Sequence, residues 1–394
     1  MAFATLDDLD CAGKRVLLRE DFNVPLKDGA ILDYTRIDAA LPTLRRLQAK
    51  GARTIVLSHL GRPKGKVDER YSLRVVAEAL AKRMGCPVAF ATDSIGEAAR
   101  STVAALEPGG IALLENVRFH PGEESNDAEF ARALAENGDC YVNDAFGTAH
   151  RAHASTEALA HLLPCAAGPL LESEIRALSG LLGSPERPFI CAIGGAKVRD
   201  KVALFTHLMD RVDGFCVGGG MANTFLAAKG VRVGSSLRDE DLDPAREILV
   251  RADGKNVQIL LPSDAVVAPA FDADDRSHVV SIDDVGDEMI LDIGPATAKA
   301  YADALSRAKT IVFNGPMGVY EKESYRAGTR AVGDSIARAT KKGGYTVVGG
   351  GDAAAAAMLL GFADRVSHVS TGGGATLEFL EGRTLPGIAA LERA

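Results

Sequence analysis

Residues 345–360 read YTVVGGGDAAAAAMLL. Four residues of strand character, Tyr345 to Val348, run into three glycines and Asp352, which open directly into strong helix formers. Strand, glycine turn and helix in immediate succession form the repeating unit of α/β folds with parallel sheets. Glycine frees the backbone to turn, and the amides at the helix start favour anions. The same grammar recurs outward from this segment. Strands are expected at 15–19, 54–58, 88–91, 111–114 and 140–143, and again at 189–193, 214–217, 257–261, 310–313, 345–348 and 367–370. Helical spacing of apolar residues fills the gaps, as at 37–50 and 73–84.

Length and composition fit that reading. At roughly 100–200 residues per domain, 394 residues suggest two or three units. Residues 168–182, GPLLESEIRALSGLL, read as a helix, and the stretch 183–188 with its two prolines stops it. A helix ending in a Gly/Pro break suits a connector between lobes; one more crossover helix of a single large sheet is the alternative. The expected fold class is therefore α/β, with two doubly wound, Rossmann-like parallel-sheet lobes facing a cleft. The first lobe spans 1–170, connector helix and hinge 171–188, and the second lobe 189–379.

The net charge of −8 argues against nucleic acid or an anionic membrane as main partner. With aromatics at 5% and no tryptophan, stacking platforms for bases are not expected. The six cysteines stand at 11, 86, 140, 165, 191 and 216, a spacing that fits neither a zinc site nor a disulfide framework. Asp7, Asp8 and Asp10 near the start do not resemble a signal peptide, and no apolar run reaches membrane-spanning length. A cytoplasmic protein is expected.

Ligands of open parallel sheets bind beyond the carboxyl ends of the strands. In the first half those ends are REDFNVP (19–25), SHLGRP (58–63), ENVRFH (115–120) and NDAFGTAHRAH (143–153). Arginines and histidines repeated at successive strand ends would converge on one rim, as a multiply anionic small molecule requires. Each alone has a plainer reading; Asp21 and Asn23, for example, could simply build an Asx turn before Pro25. In the second half the strand ends carry GGAKVRDK (194–201), GGGMANTF (218–225), NGPMGVYE (314–321), GGGD (349–352) and STGGGATLEFLEG (370–382). Glycine lets backbone approach a ligand, and Lys197 and Lys201 add charge. No P-loop motif is present. The loose dinucleotide pattern Gly349-x-Gly351-x-x-Ala354 lacks its ribose acid, since Val369, Ser370 and Thr371 stand where that acid should be. Asp352 is better placed as a carboxylate for Mg²⁺ riding on nucleotide phosphates.

Taken in order, these strings resemble phosphoglycerate kinase over essentially the whole chain. The resemblance implies reversible transfer of the acyl phosphate of 1,3-bisphosphoglycerate to MgADP, giving 3-phosphoglycerate and MgATP in glycolysis, by a hinge-bending monomer. It implies that Asp21, Asn23, Arg36, His59, Arg62, Arg118, Arg151 and His153 hold the phosphoglycerate. Lys197 and Lys201 would meet the nucleotide phosphates and the transferring group, and Asn314 would approach them. Glu321 would bind ribose, Asp352 the Mg²⁺, and Gly195, Gly219, Gly220 and Gly294 would lie near adenine. Gly350, Gly351 and Ala353 complete the nucleotide set. Arg36, Lys197 and the amides at Gly372 and Gly373 would neutralise the transferring phosphoryl group. Residues 380–394 would pack back on the first lobe.

Two positions depart from the family pattern: Glu20 replaces a small or apolar residue, and Ala353 replaces Thr or Ser, removing one hydroxyl contact. A nicotinamide-dependent oxidoreductase and a two-lobed solute-binding protein remain as alternatives, disfavoured by the missing ribose acid and the absent export signal.

Overall fold

The computed structural model describes residues 3–392. The chain divides into two compact units, one holding the residues up to Arg176 together with those from Thr384 on, the other Ala177–Arg383.

In the first unit the strands are β1 Arg15–Arg19, β2 Leu26–Lys27, β3 Ala30–Ile31, β4 Arg53–Leu57, β5 Val88–Ala91, β6 Ile111–Leu114, β7 Cys140–Asn143 and β8 Cys165–Ala167. Apart from the β2–β3 hairpin they form one sheet in the order β5-β6-β4-β1-β7-β8, and its neighbours pair parallel. The central strands are buried on both faces; Leu17, Leu18, Ile55, Val56, Leu113 and Val142 are shut off from solvent. That explains their continuous apolar runs. Register makes the rim: Arg19 lies opposite both Leu57 and Asn143, so β1, β4 and β7 end level with one another. Loops 20–25, 58–63 and 144–153 therefore leave the sheet side by side. Strand β4 starts and ends one residue before the expected 54–58. Ser58 is drawn into the loop, where its hydroxyl donates to Glu20 O at 2.8 Å and accepts from Phe22 N at 2.9 Å.

The second unit contains β9 Phe189–Ile193, β10 Gly214–Val217, β11 Gln258–Leu260, β12 Asp264–Ala268, β13 His278–Ser281, β14 Met289–Ile293, β15 Thr310–Asn314, β16 Tyr345–Val348 and β17 His368–Val369. Its main sheet runs β11-β10-β9-β15-β16-β17, the doubly wound order that reverses between β9 and β15. Strands β12–β14 form a separate antiparallel sheet, which the sequence reading did not anticipate. Its alternation is hidden because β13 is mostly exposed and the β12 register shifts between Val266 and Val267.

The helix Pro169–Leu182 begins in the first unit and ends in the second. Its start is tied to the first unit by Asp144, whose carboxylate accepts from Leu171 N at 2.9 Å. Beyond Thr384 the chain belongs to the first unit. There Gly387 N donates to Ala149 O at 2.9 Å, Asn143 Nδ2 donates to Gly387 O at 3.3 Å, and Glu392 bridges to Phe3. Arg393 and Ala394, part of the expected return, lie outside the described residues.

Candidate active site residues in the two units

Arg19, the last residue of β1, is the hub of the first unit's rim. The residue is 1% exposed. Nε donates to Ser155 Oγ at 2.8 Å, Nη1 to Glu20 O, and Nη2 lies 3.3 Å from His59 Nδ1. Guanidinium only donates, so His59 Nδ1 must accept and the ring proton sits on Nε2. Burial first, then the charges of Arg19, Arg118, Arg151 and Arg36, push His59 well below the usual histidine range. A neutral donor is thus fixed among cations. His153 is treated the same way: burial and then Arg118, Arg19 and Arg151 bring it down to about 3, with Nδ1 3.7 Å from buried Glu123 Oε1.

Asp21 does two jobs. It builds the Asx turn, accepting from Asn23 N at 3.1 Å, and it forms a close ion pair with Arg36. Asn23 Oδ1 in turn accepts from Gly61 N at 2.8 Å, locking loop 20–25 to loop 58–63. Arg118 is 3% exposed, donates from Nη1 to Gly61 O at 2.8 Å, and is pushed down to about 10 by burial and by Arg151. Arg151 is half-buried with Nε donating to His150 Nε2 at 3.2 Å, and Arg62 is exposed. The structure therefore gathers Asp21, Asn23, Arg36, His59, Arg118, Arg151 and His153 into one cationic patch. Sequence reasoning missed Arg19, although an arginine closing an otherwise apolar strand was a visible signal. Glu20 is buried beneath the rim with Oε1 lacking a hydrogen-bond partner; burial, then Asp144, raises it well above the usual carboxylate range.

In the second unit, a cavity of about 770 Å³ opens beside the β9–β15 switch point, and its wall includes Gly195, Gly219, Gly220, Pro316, Glu321 and Asp352. Gly219 takes a φ of +65°, and a Cβ on Gly220 would lie 2.6 Å from Ala196 O, so both positions need glycine. The opposite wall is apolar: Leu237, Phe271, Met289 and Leu291 come largely from the antiparallel sheet and its loops. None of these was singled out from sequence: Leu237 and Phe271 are isolated apolar residues in loops, and Met289 and Leu291 lie in a strand the sequence reading did not anticipate. An apolar slot flanked by glycine backbone and three carboxyl side chains, Asp292, Glu321 and Asp352, can take a flat, partly polar ring with its sugar.

Lys201 Nζ donates to Gly194 O at 2.7 Å and Asn314 O at 2.8 Å, joining the ends of β9 and β15. Burial lowers it from 10.5 to about 8, with Asp352 opposing the shift. Lys197, four residues earlier in the chain, is half-buried. Asn314 Nδ2 donates to Gly349 O at 2.7 Å. Gly350, at φ +99°, turns the chain into the helix Gly351–Leu359, whose first turn carries exposed Asp352. Ala353 is 1% exposed and its methyl belongs to the core, so only its backbone could face a ligand. Gly294 lies outside the cavity wall; a Cβ there would meet the Asp264 carboxylate at 2.2 Å. The Gly372 N–H is engaged by Ser370 Oγ at 3.2 Å, and Gly373, at φ +55°, starts the helix Gly374–Leu380.

Among the described residues no three His, Cys, Asp or Glu side chains cluster to hold a metal. One exposed carboxylate, Asp352, fits a Mg²⁺ whose other ligands are phosphate oxygens and water.

Known proteins match over the same span. The phosphoglycerate kinase family model covers residues 6–383. Phosphoglycerate kinases from Moorella thermoacetica and Rhodospirillum centenum are 54% and 52% identical, with 99% of this chain and 99% and 100% of theirs aligned. The solved phosphoglycerate kinase of Coxiella burnetii superposes with a TM-score of 0.90 at 44% identity, covering 99% of both chains. That of Pyrococcus horikoshii gives 0.83 at 32% identity, covering 98% of both.

Proposed function

The chain belongs to the phosphoglycerate kinase family, and from that premise we propose how its residues divide the reaction. The activity is reversible phosphotransfer between 1,3-bisphosphoglycerate and ADP, with a carboxyl group as the acceptor in the reverse direction. The oxidoreductase and solute-binding readings fall with that assignment.

Phosphoglycerate binds on the first unit, held by Arg36, Arg62, Arg118 and Arg151, with Asp21, Asn23, His59 and His153 orienting it. The observation carrying this is the pressure of four guanidiniums on one buried neutral imidazole. Asp21 pairs with Arg36 and Glu124 Oε1 lies 3.3 Å from Arg118 Nε, which leaves the cluster a cationic excess that suits an anion. ADP or ATP binds in the glycine-walled cavity of the second unit, Glu321 at the ribose, Lys197, Lys201 and Asn314 toward the phosphates. Asp352 would hold Mg²⁺, which supplies charge neutralisation on the phosphates when bound. No general base is needed, because the acceptor oxygen is already ionised in either direction. Catalysis is positioning plus neutralisation of charge on the equatorial oxygens by Arg36, Lys197 and the Gly372–Gly373 backbone. A coupled assay for ATP from ADP and 1,3-bisphosphoglycerate, with and without EDTA, tests it; turnover undiminished by EDTA removes Mg²⁺. The family also suggests a cytoplasmic monomer. Among the described residues no helix is long and apolar enough to cross a membrane.

The two ligand sets lie on different units, yet direct transfer needs reacting atoms about 3–3.5 Å apart in a dry site. The hinge would be the Gly183–Pro188 break and the 371–374 segment. Solution scattering should give the smallest radius of gyration with 3-phosphoglycerate and an inert ATP analogue together. Values identical in apo, singly and doubly liganded protein would eliminate hinge closure.

Lys201 gives the nucleotide site a pH dependence. In the free protein its charge is complete below about 8 and is lost above it, whereas a bound phosphate raises its pKa again. The Kd for ADP should therefore stay flat below that value and rise by up to about tenfold per pH unit above it. Lys201→Met should bind weakly at all pH values and lose the slope; a wild-type Kd flat to pH 9.5 would contradict the role.

A further inference from the structure

Lys322 comes one residue after Glu321, and both line the cavity of the second unit. Its ammonium is committed to the loop between β12 and β13. Nζ donates to Phe271 O at 2.7 Å, to Asp272 Oδ1 at 2.8 Å and to Asp274 Oδ1 at 2.9 Å. An ammonium has three protons, so these acceptors use its full donor capacity. The same nitrogen stands 4.3 Å from the centroid of the Phe271 ring, over its face. The ring therefore meets the charge alone, which is what holds a cation over an aromatic face.

Phe271 belongs to the apolar wall of the slot, yet it is 45% exposed. A ring that open has little packing of its own to fix it. The base of its loop is firmer. Ala273 is buried with Ala268, Leu291 and Tyr325, and its N–H donates to Ala270 O at 3.1 Å. The lysine's own backbone is also fixed: Lys322 N donates to Val319 O at 3.1 Å, and Lys322 O accepts from Tyr325 N at 3.1 Å. A long side chain on a set backbone thus ties the open part of one loop to the segment that carries Glu321.

We propose that Lys322 is a positioning residue for nucleotide binding, a clasp that pins the Phe271 ring at the base-binding wall and does not itself serve the phosphates. The proposal rests on the assignment of ADP to this cavity. With the clasp removed, the ring and its stretch of loop must be ordered at each binding event, which weakens the complex and leaves the chemistry alone. The loss should be confined to ligands that carry a base.

Calorimetric titrations with ADP and with inorganic tripolyphosphate, both with Mg²⁺, make the test, since tripolyphosphate offers phosphates and no base. In K322M the Kd for ADP should rise about three- to tenfold, and the KM for ADP with it. Tripolyphosphate affinity, kcat and the KM for phosphoglycerate should each stay within about twofold. K322R keeps a cation that can pair with carboxylates and stack on a ring, so it should recover most of the loss. The double variant D272N/D274N leaves the ammonium in place but unties it, and ADP should weaken again. If Lys322 served the phosphates directly, untying it would leave ADP binding unchanged or tighter.

That last result, an equal loss of ADP and tripolyphosphate affinity in K322M, or K322M binding ADP as wild type does, overturns the clasp. Should K322M not fold, the aspartate variant decides. Failure of ADP to compete with tripolyphosphate in wild type would instead reject the nucleotide site, and the clasp with it.

Discussion

Arg36→Ala should lower kcat by about 10²–10³-fold while raising KM for phosphoglycerate far less, the scale for removing one preorganised donor. Arg36 stands in the first turn of the helix Thr35–Ala49, with its guanidinium fixed by the ion pair to Asp21 and still about a third exposed. A charge held in place but open to solvent can meet a ligand. Its charge should matter most when negative charge spreads over the equatorial oxygens of the transferring group, and less while phosphoglycerate merely sits. Arg36→Lys keeps the charge and loses the fork, so it should recover only part of the rate. Steady-state kinetics on both variants, with thermal melts to confirm an intact fold, decide the matter. Equal kcat for Arg36→Ala and wild type would take Arg36 out of catalysis.

Gly194→Ala should be the most damaging single methyl in the second unit. Gly194 follows Ile193 at the end of β9, where the strand lies against Asn314 of β15. A Cβ there would sit 1.8 Å from Pro316 O and 2.8 Å from Gly315 O, both backbone atoms that no rotamer can move aside. Relief requires the two strand ends to part, which strains the Gly194 N to Asn314 O bond at 3.2 Å and the double anchorage of Lys201. We expect a loss above about 3 kcal/mol of stability, the scale of severe overpacking, and ADP binding weakened by more than about tenfold. Gly254→Ala is the control, because a Cβ there meets nothing within 4 Å. It should melt at or slightly above wild type. A Gly194→Ala protein melting within about 2 °C of wild type would show that the strand ends are softer than their contacts imply.

Much of this is legible in the sequence itself. The central strands announce themselves because burial on both faces demands unbroken apolar runs, and Cys140–Asn143 and Phe189–Ile193 fall where those runs fall. The loops after them were legible because glycine, arginine and histidine are costly to place at successive strand ends without a use. What stayed hidden depends on partners far along the chain. Arg19 looked like the polar end of a strand, and only the fold shows Ser155 and His59 closing around it. Edge strand Cys165–Ala167 is too short for a pattern, and β13 presents Val279 to solvent, which breaks the alternation that would mark a strand. Gly294 read as one more ligand glycine, yet the Asp264 carboxylate fills the space its side chain would occupy.

The first unit is assembled from two pieces of chain, with the contiguous second unit, Ala177–Arg383, written between them. A ribosome therefore finishes every residue of the second unit before it makes Gly387 and Glu392, which bond to Ala149, Asn143 and Phe3. Vectorial synthesis normally lets the earlier domain mature first. Here the later-encoded unit can reach its final state while the earlier one still waits, its last seat open, for residues translated after it.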